Sequence, residues 1–157
     1  NLLRAVKRPV GAVDYGWVGD VAVSDVNTGL LSALFAAGLS PVVAPLTHDG
    51  QGQIFNTNAN TMAAILAQAM APLHSVSLFF CFEKKGILAD PEDENSALLS
   101  LSENDYHHLR ETKALSGGIF PKIDNAFAAA KTGVHRVMIG EALALMNNPE
   151  AGTRLIP

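Results

Sequence analysis

A single cysteine, Cys81, and a single tryptophan stand in the 157 residues of this chain, and neither sign of charge dominates beyond a formal net of −4. One cysteine cannot close an internal disulfide or complete a zinc site by itself, and it fits a reducing compartment, so the expected location is cytoplasmic. Eleven Lys+Arg against fifteen Asp+Glu leave no clustered cationic surplus for phosphate backbones, so no nucleic-acid partner is expected. Long apolar runs are missing too. The most apolar one, V-S-L-F-F-C-F at 76–82, falls far short of the roughly 20 residues that span a bilayer, so no membrane partner is expected. No secretory leader is visible, and the chain opens Asn1-Leu2-Leu3-Arg4 without a methionine. G-x-x-x-x-G-K-[ST], G-x-G-x-x-G and G-x-S-x-G are all absent, which excludes the common nucleotide loops and the hydrolase elbow. Neither His48-Asp49 nor His107-His108 has ligand spacing to further His, Cys or acid residues, so no metal site is expected.

What is present is a chain 48% hydrophobic and 17% charged, too apolar for disorder and long enough to bury a core. No repeat or linker divides it, and strand-like and helix-like patterns alternate, as in a layered α/β fold. Residues 10–25 read as a hairpin, with β-formers around Gly-Asp turn signals. Asn27 is placed to cap a helix that runs to about Ala37, with Leu30, Leu31, Leu34 and Phe35 on its apolar face and Gly38 as its stop. P-V-V-A-P at 41–45 reads as a short buried strand. A second helix covers about 61–71, with Met62, Leu66 and Met70 on one stripe and Pro72 ending it. Residues 76–82 read as a strand buried on both faces, as at the centre of a parallel sheet. The acidic stretch at 90–94 suggests a solvated hairpin, and Ser102 with Asp105 a capping box that opens a helix through Tyr106 and Leu109. Gly117-Gly118 precedes a helix with Pro121 in its first turn and Ile123, Phe127 and Ala130 on one face. A core strand at 134–139, a short helix and the strand G-T-R-L-I complete the chain.

Three constellations could carry chemistry. In N-T-N-A-N at 56–60, extended geometry puts Asn56 and Asn58 on one side, beside the free N–H groups of a helix start that favours a carboxylate or phosphate. Asparagine also caps helices and tolerates turns, and that reading stands beside the first. In S-G-G-I-F-P-K at 116–122, Lys122 in a first helical turn opposes the helix dipole at a cost of roughly 0.3–1 kcal/mol. A phosphoryl group would offset that cost, whereas a solvated lysine after a loop needs no ligand at all. In C-F-E-K-K-G-I-L at 81–88, charged residues follow a strand's carboxyl end, where ligands of open α/β sheets collect. Lys84 and Lys85 could meet phosphate there and Glu83 a metal or ribose, or the segment is a plain charged turn. Arg4, Lys7 and Arg8 read as a solvated basic edge.

In order along the chain, these segments resemble the acetylglutamate kinases of the amino-acid kinase family, nearest its Bacteroidetes-like branch. The matching motifs are V-D-Y-G-W-V-G-D-V at 13–21, P-V-V-A-P-L-T-H-D-G-Q-G at 41–52, N-T-N-A-N, C-F-E-K-K-G-I-L, P-K-I-D-N-A-F at 121–127 and G-T-R-L-I at 152–156. The resemblance implies a three-layer αβα sandwich with a mostly parallel central sheet, whose N-terminal part lies outside these residues. It implies that residues 1–157 form the C-terminal, nucleotide-binding portion with part of the acylglutamate pocket. The implied reaction is ATP-dependent phosphorylation of the γ-carboxylate of an N-acyl-L-glutamate, acetyl or succinyl, in arginine biosynthesis. ATP with its bound Mg²⁺ is the implied cofactor, and the intact enzyme is expected to be a homodimer. Lys122 matches the lysine that stabilises the transferring phosphoryl group, and Asn56 and Asn58 match the acylglutamate pocket. Glu83, Lys84, Lys85, Gly86, Ile87 and Leu88, together with Ala114, Leu115 and Ser116, match segments around the nucleotide.

Two departures are visible. The family motif N-x-N-A-D carries an aspartate that orients catalytic lysines, and this chain has Asn60 there. The Gly-Gly-Lys loop, the second glycine-rich stretch and the substrate arginine of the family's N-terminal part do not occur. These departures keep open a non-catalytic binding module derived from the kinase. A related kinase acting on another amino acid is the third possibility.

Overall fold

Asn27 decides where the first helix begins. Its Oδ1 accepts the Leu30 N–H at 2.9 Å, and α1 (Thr28–Ala36) runs from there to Gly38, whose φ of +73° ends it as expected. The computed structural model describes residues 2–111 and 119–157, and the chain divides into two compact units, Asn1–Met70 and Ala71–Pro157.

The first unit is built from very short strands. β1 (Val6–Lys7) pairs antiparallel with β2 (Gly19–Asp20), so the hairpin lies earlier than the 10–25 expected for it: only β2 falls in that range, and Val23–Asp25 form a 3-10 turn. Residues 10–16 are spent on the turn, where Asp14 Oδ1 accepts the Gly16 N–H at 2.8 Å. β3 (Leu46–His48) and β4 (Ile54–Asn56) form a second antiparallel pair, and α2 (Ala59–Met70) follows. Two expectations fail here. P-V-V-A-P is not a strand. Prolines at both its ends remove backbone donors, and Val42 is 99% exposed with no strand paired to it among the described residues. The apolar face of α1 is not buried as a whole, for Leu31 is buried while Leu30 and Phe35 stay exposed.

The second unit holds one four-stranded sheet, ordered β5-β7-β8-β6, from β5 (Ser77–Phe82), β6 (Ser100–Ser102), β7 (Arg136–Glu141) and β8 (Thr153–Ile156). β5 with β7 and β6 with β8 are parallel, and β7 with β8 is antiparallel. α3 (Glu103–Glu111), α4 (Phe120–Ala130) and α5 (Ala142–Asn147) complete the unit, giving the expected α/β class with parallel pairings in the majority. α4 packs against β7 and β8, α5 against β5 and β7, and Val137, Met138 and Ile139 are at most 1% exposed. The doubly buried strand is therefore β7. β5 lies at the edge of the described sheet, and its burial alternates, Leu78 and Phe80 buried on one face and Ser77 and Cys81 exposed on the other.

The local signals in this unit work as read. Ser102 Oγ accepts the Asp105 N–H and donates to the Asp105 carboxylate at 2.6 Å, which starts α3. Pro121 sits in the first turn of α4, and Ile123, Ala126 and Phe127 bury one face of it. The acidic stretch is a hairpin tip, with Ala89 N–H bonded to Ser96 O and Leu98 N–H to Ile87 O.

Candidate functional site

Lys122 and the carboxyl end of β5 meet. The Lys122 ammonium donates to the Cys81 carbonyl at 3.0 Å and lies 5.0 Å above the Phe82 ring. Cys81, Phe82, Glu83 and Lys122 line one open cavity of about 470 Å³. Two segments separated widely in sequence thus deliver a carboxylate and an ammonium to the place where ligands of α/β sheets collect. Lys122 lies in the first turn of α4, so its ammonium stands at the positive end of that helix and is held there by the Cys81 carbonyl and the Phe82 ring.

Segment 83–88 divides into an outer and an inner part. Lys84 pairs with Glu94 at 3.0 Å, and that lysine holds the Glu94 carboxyl below its ordinary pKa. Glu83 and Lys85 face solvent. Gly86, Ile87 and Leu88 are buried, Ile87 completely, so their part is to fix the segment rather than to present side chains. Ala114, Leu115 and Ser116 lie outside the described residues.

In the first unit, the alternation expected of N-T-N-A-N is present: Phe55 and Thr57 are buried, Asn56 and Asn58 exposed. Asn56 sits at the end of β4, its N–H bonded to the Trp17 carbonyl at 2.8 Å. Asn58 Oδ1 accepts from the Thr61 N–H at 3.0 Å and contacts the Thr61 hydroxyl at 3.3 Å, capping α2. Capping and ligand-facing readings are therefore compatible in one residue, since its Nδ2 donors are not needed for the cap. Asn60 stands in the first turn of α2, which begins at Ala59, two residues earlier than the apolar stripe implied. The basic edge is more ordered than a solvated one: Arg8 Nε donates to Asp20 at 3.0 Å and Lys7 lies 4.5 Å over the Trp17 ring.

Two supports escaped the sequence. Thr57 is 4% exposed; its Oγ1 donates to Gly19 O at 3.1 Å and lies 2.8 Å from Thr47 Oγ1, which pins the peptide between the two exposed asparagines. The available signal was a hydroxyl at an inward position of an alternating segment. Tyr106, 2% exposed, donates to Asp124 Oδ1 at 2.7 Å and joins α3 to the helix that carries Lys122. Burial, with Asp124 beside it, pushes the Tyr106 hydroxyl up to about 12. Arg110 approaches the same carboxylate at 3.7 Å.

Residues 3–141 match the amino acid kinase family, and the chain belongs to it. Among relatives, it is 46% identical to the acetylglutamate kinase of Phocaeicola vulgatus over 98% of this chain and 58% of that protein. To the acetylglutamate kinase of Bacteroides thetaiotaomicron it is 44% identical over 99% of this chain and 59% of that protein. The chain thus spans somewhat more than half the length of these relatives. Among solved structures, it matches N-acetylglutamate synthase from Neisseria gonorrhoeae, complexed with coenzyme A and N-acetyl-glutamate. There the TM-score is 0.79 at 25% identity, over 100% of this chain and 37% of that one. Carbamate kinase from Giardia lamblia, at TM-score 0.62 and 12% identity over 88% of this chain and 46% of that one, shares the fold. No helix among the described residues is long and apolar enough to cross a membrane.

Proposed function

We propose that this chain is the C-terminal, nucleotide-binding portion of a kinase that phosphorylates the γ-carboxylate of an N-acyl-L-glutamate, N-acetyl-L-glutamate being the form named in its relatives. The step belongs to arginine biosynthesis, in the cytoplasm, in an intact enzyme that forms a homodimer. The observation that carries the reading is Lys122, whose ammonium opens with Glu83 into the cavity at the end of β5.

The residues present fit a phosphorylated ligand. Lys122, Lys84 and Lys85 bring three cations to one end of the sheet, and Glu94 neutralises one of them in part. A nucleoside triphosphate with its Mg²⁺ supplies the transferable phosphoryl group. Lys122 then holds charge that builds on the phosphoryl oxygens, and the start of α4 adds its dipole, so the protein contributes position and electrostatics. In the first unit, Asn56 and Asn58 offer amide donors to the acylglutamate. Calorimetric titration with MgADP tests this reading. Lys122→Ala is expected to weaken binding roughly tenfold to a hundredfold, as loss of a charged hydrogen bond does. Equal affinity in both proteins would remove Lys122 from the site.

Asn60 favours a second reading. An amide carries no charge with which to hold two ammonium groups in place, so a chain that binds the ligands without transferring phosphate is consistent with it. The readings part on acyl-phosphate formation, trapped as hydroxamate, by the longest natural product that carries these residues.

A further inference from the structure

The G-T-R-L-I segment is one of the motifs through which the chain resembles acetylglutamate kinases, yet none of its side chains lines the cavity at the end of β5. We propose that Thr153 is a positioning residue for the nucleotide: its hydroxyl sets the seat of segment 83–88. The inference rests on the reading of that segment as nucleotide-binding.

Three sets of contacts converge on this residue. Thr153 is the first residue of β8 and is 0% exposed, a polar side chain in the middle of the core. Its Oγ1 accepts the Ile87 N–H at 2.8 Å and donates to the Leu98 carbonyl at 2.7 Å, so both its hydrogen-bonding capacities are directed. Ile87 and Leu98 are themselves bonded, Leu98 N–H to Ile87 O at 2.8 Å, so the hydroxyl fastens both arms of the hairpin that follows β5.

The glycines around it leave room for this seat and for little else. A Cβ on Gly86 would lie 2.6 Å from Thr153 Oγ1 and 3.2 Å from its backbone nitrogen. A Cβ on Gly140 would lie 3.1 Å from the Lys85 carbonyl, and one on Gly152, whose φ is +116°, 2.6 Å from the Ile139 carbonyl. Backbone at 85–86 therefore lies directly against the end of β7 and the start of β8. Lys84 and Lys85 project from a segment whose height above the sheet is fixed by one hydroxyl. Valine would fill the same volume but leave the Ile87 N–H and the Leu98 C=O without their partner in the core, and the segment must shift to satisfy them.

The test uses the 157-residue chain titrated with MgADP, beside amide exchange at Ile87 and at Val137. Thr153→Val is expected to weaken MgADP by about tenfold or more and to speed exchange at Ile87 while Val137 stays protected; Thr153→Ser, which keeps the hydroxyl, restores affinity to within about threefold. Gly86→Ala, which displaces the same contact from the other side, is expected to match Thr153→Val, and it decides the matter if the valine variant does not fold. Faster exchange at Ile87 with unchanged MgADP affinity in these variants overturns the proposal, because the hydroxyl would then hold the fold without holding the site. If the unsubstituted chain does not bind MgADP, the nucleotide reading fails and this inference falls with it. Binding by the unsubstituted chain with no loss in the variants removes this inference alone.

Discussion

Residues Asn1–Met70 and Ala71–Pro157 place their apolar side chains differently. The second unit wraps a four-stranded sheet in helices, and Ile87, Leu101, Ile123, Val137, Met138 and Ile139 are all essentially inaccessible. The first unit has strands of two or three residues and leaves Val6, Trp17, Phe35, Leu39, Val42 and Ile54 from 45% to 99% exposed. Both have comparable material to bury. The difference is that β7 has four consecutive buried residues between two paired strands, whereas β1 to β4 form two short pairs joined by single bridges at Arg4–His48 and Val18–Asn56. Propensity makes a strand possible, and neighbours make it a core.

That contrast can be broken by substitution, followed in denaturant unfolding. Met138→Ala, at 0% exposure in β7, is expected to cost about 2–5 kcal/mol, the usual range for emptying a packed site. Thr57→Val comes next at about 1–3 kcal/mol, since it leaves Gly19 O and Thr47 Oγ1 without their partner in the best-buried part of the first unit. Tyr106→Phe is expected to cost about 1 kcal/mol near neutral pH. It carries a pH signature as well. The folded protein holds the Tyr106 proton up to about 12, against about 10 in an unfolded chain. Between those values the unfolded state binds fewer protons, so this contribution is complete below about pH 10 and declines as pH rises towards about 12. The phenylalanine variant should lack that part of the alkaline decline, and an unchanged pH profile would show that burial beside Asp124 does not hold the Tyr106 proton. Smallest is Val42→Ser, expected to cost under about 0.5 kcal/mol at a 99% exposed position. A loss there as large as that in Met138→Ala would erase the distinction between the two units.

Local chemistry was legible where one residue decides the outcome. The Asn27 cap, the Gly38 stop, the Ser102–Asp105 pair and the outward asparagines of 56–58 all follow from short-range hydrogen bonding or strand alternation. Whatever depends on a distant neighbour was not. P-V-V-A-P has strand composition but no paired strand among the described residues, and the most apolar run is an edge strand of the described sheet, less buried than β7. The meeting of Lys122 with Glu83 was suggested by resemblance, but no local pattern places α4 over the end of β5. Thr57 and Thr153 look ordinary in the sequence. A hydroxyl's importance lies in the distant backbone it reaches, 38 positions away for Thr57 and 66 and 55 positions away for Thr153.

Asn58 has a consequence for what can be recognised. Its amide oxygen is committed to the Thr61 N–H, so the half of the side chain that remains is the amino half, with hydrogens to give and no lone pair to offer. That exposed half can give a hydrogen bond to a carboxylate or carbonyl and cannot take one from an ammonium or hydroxyl donor. An aspartate there would keep the cap and present an acceptor where the asparagine presents donors.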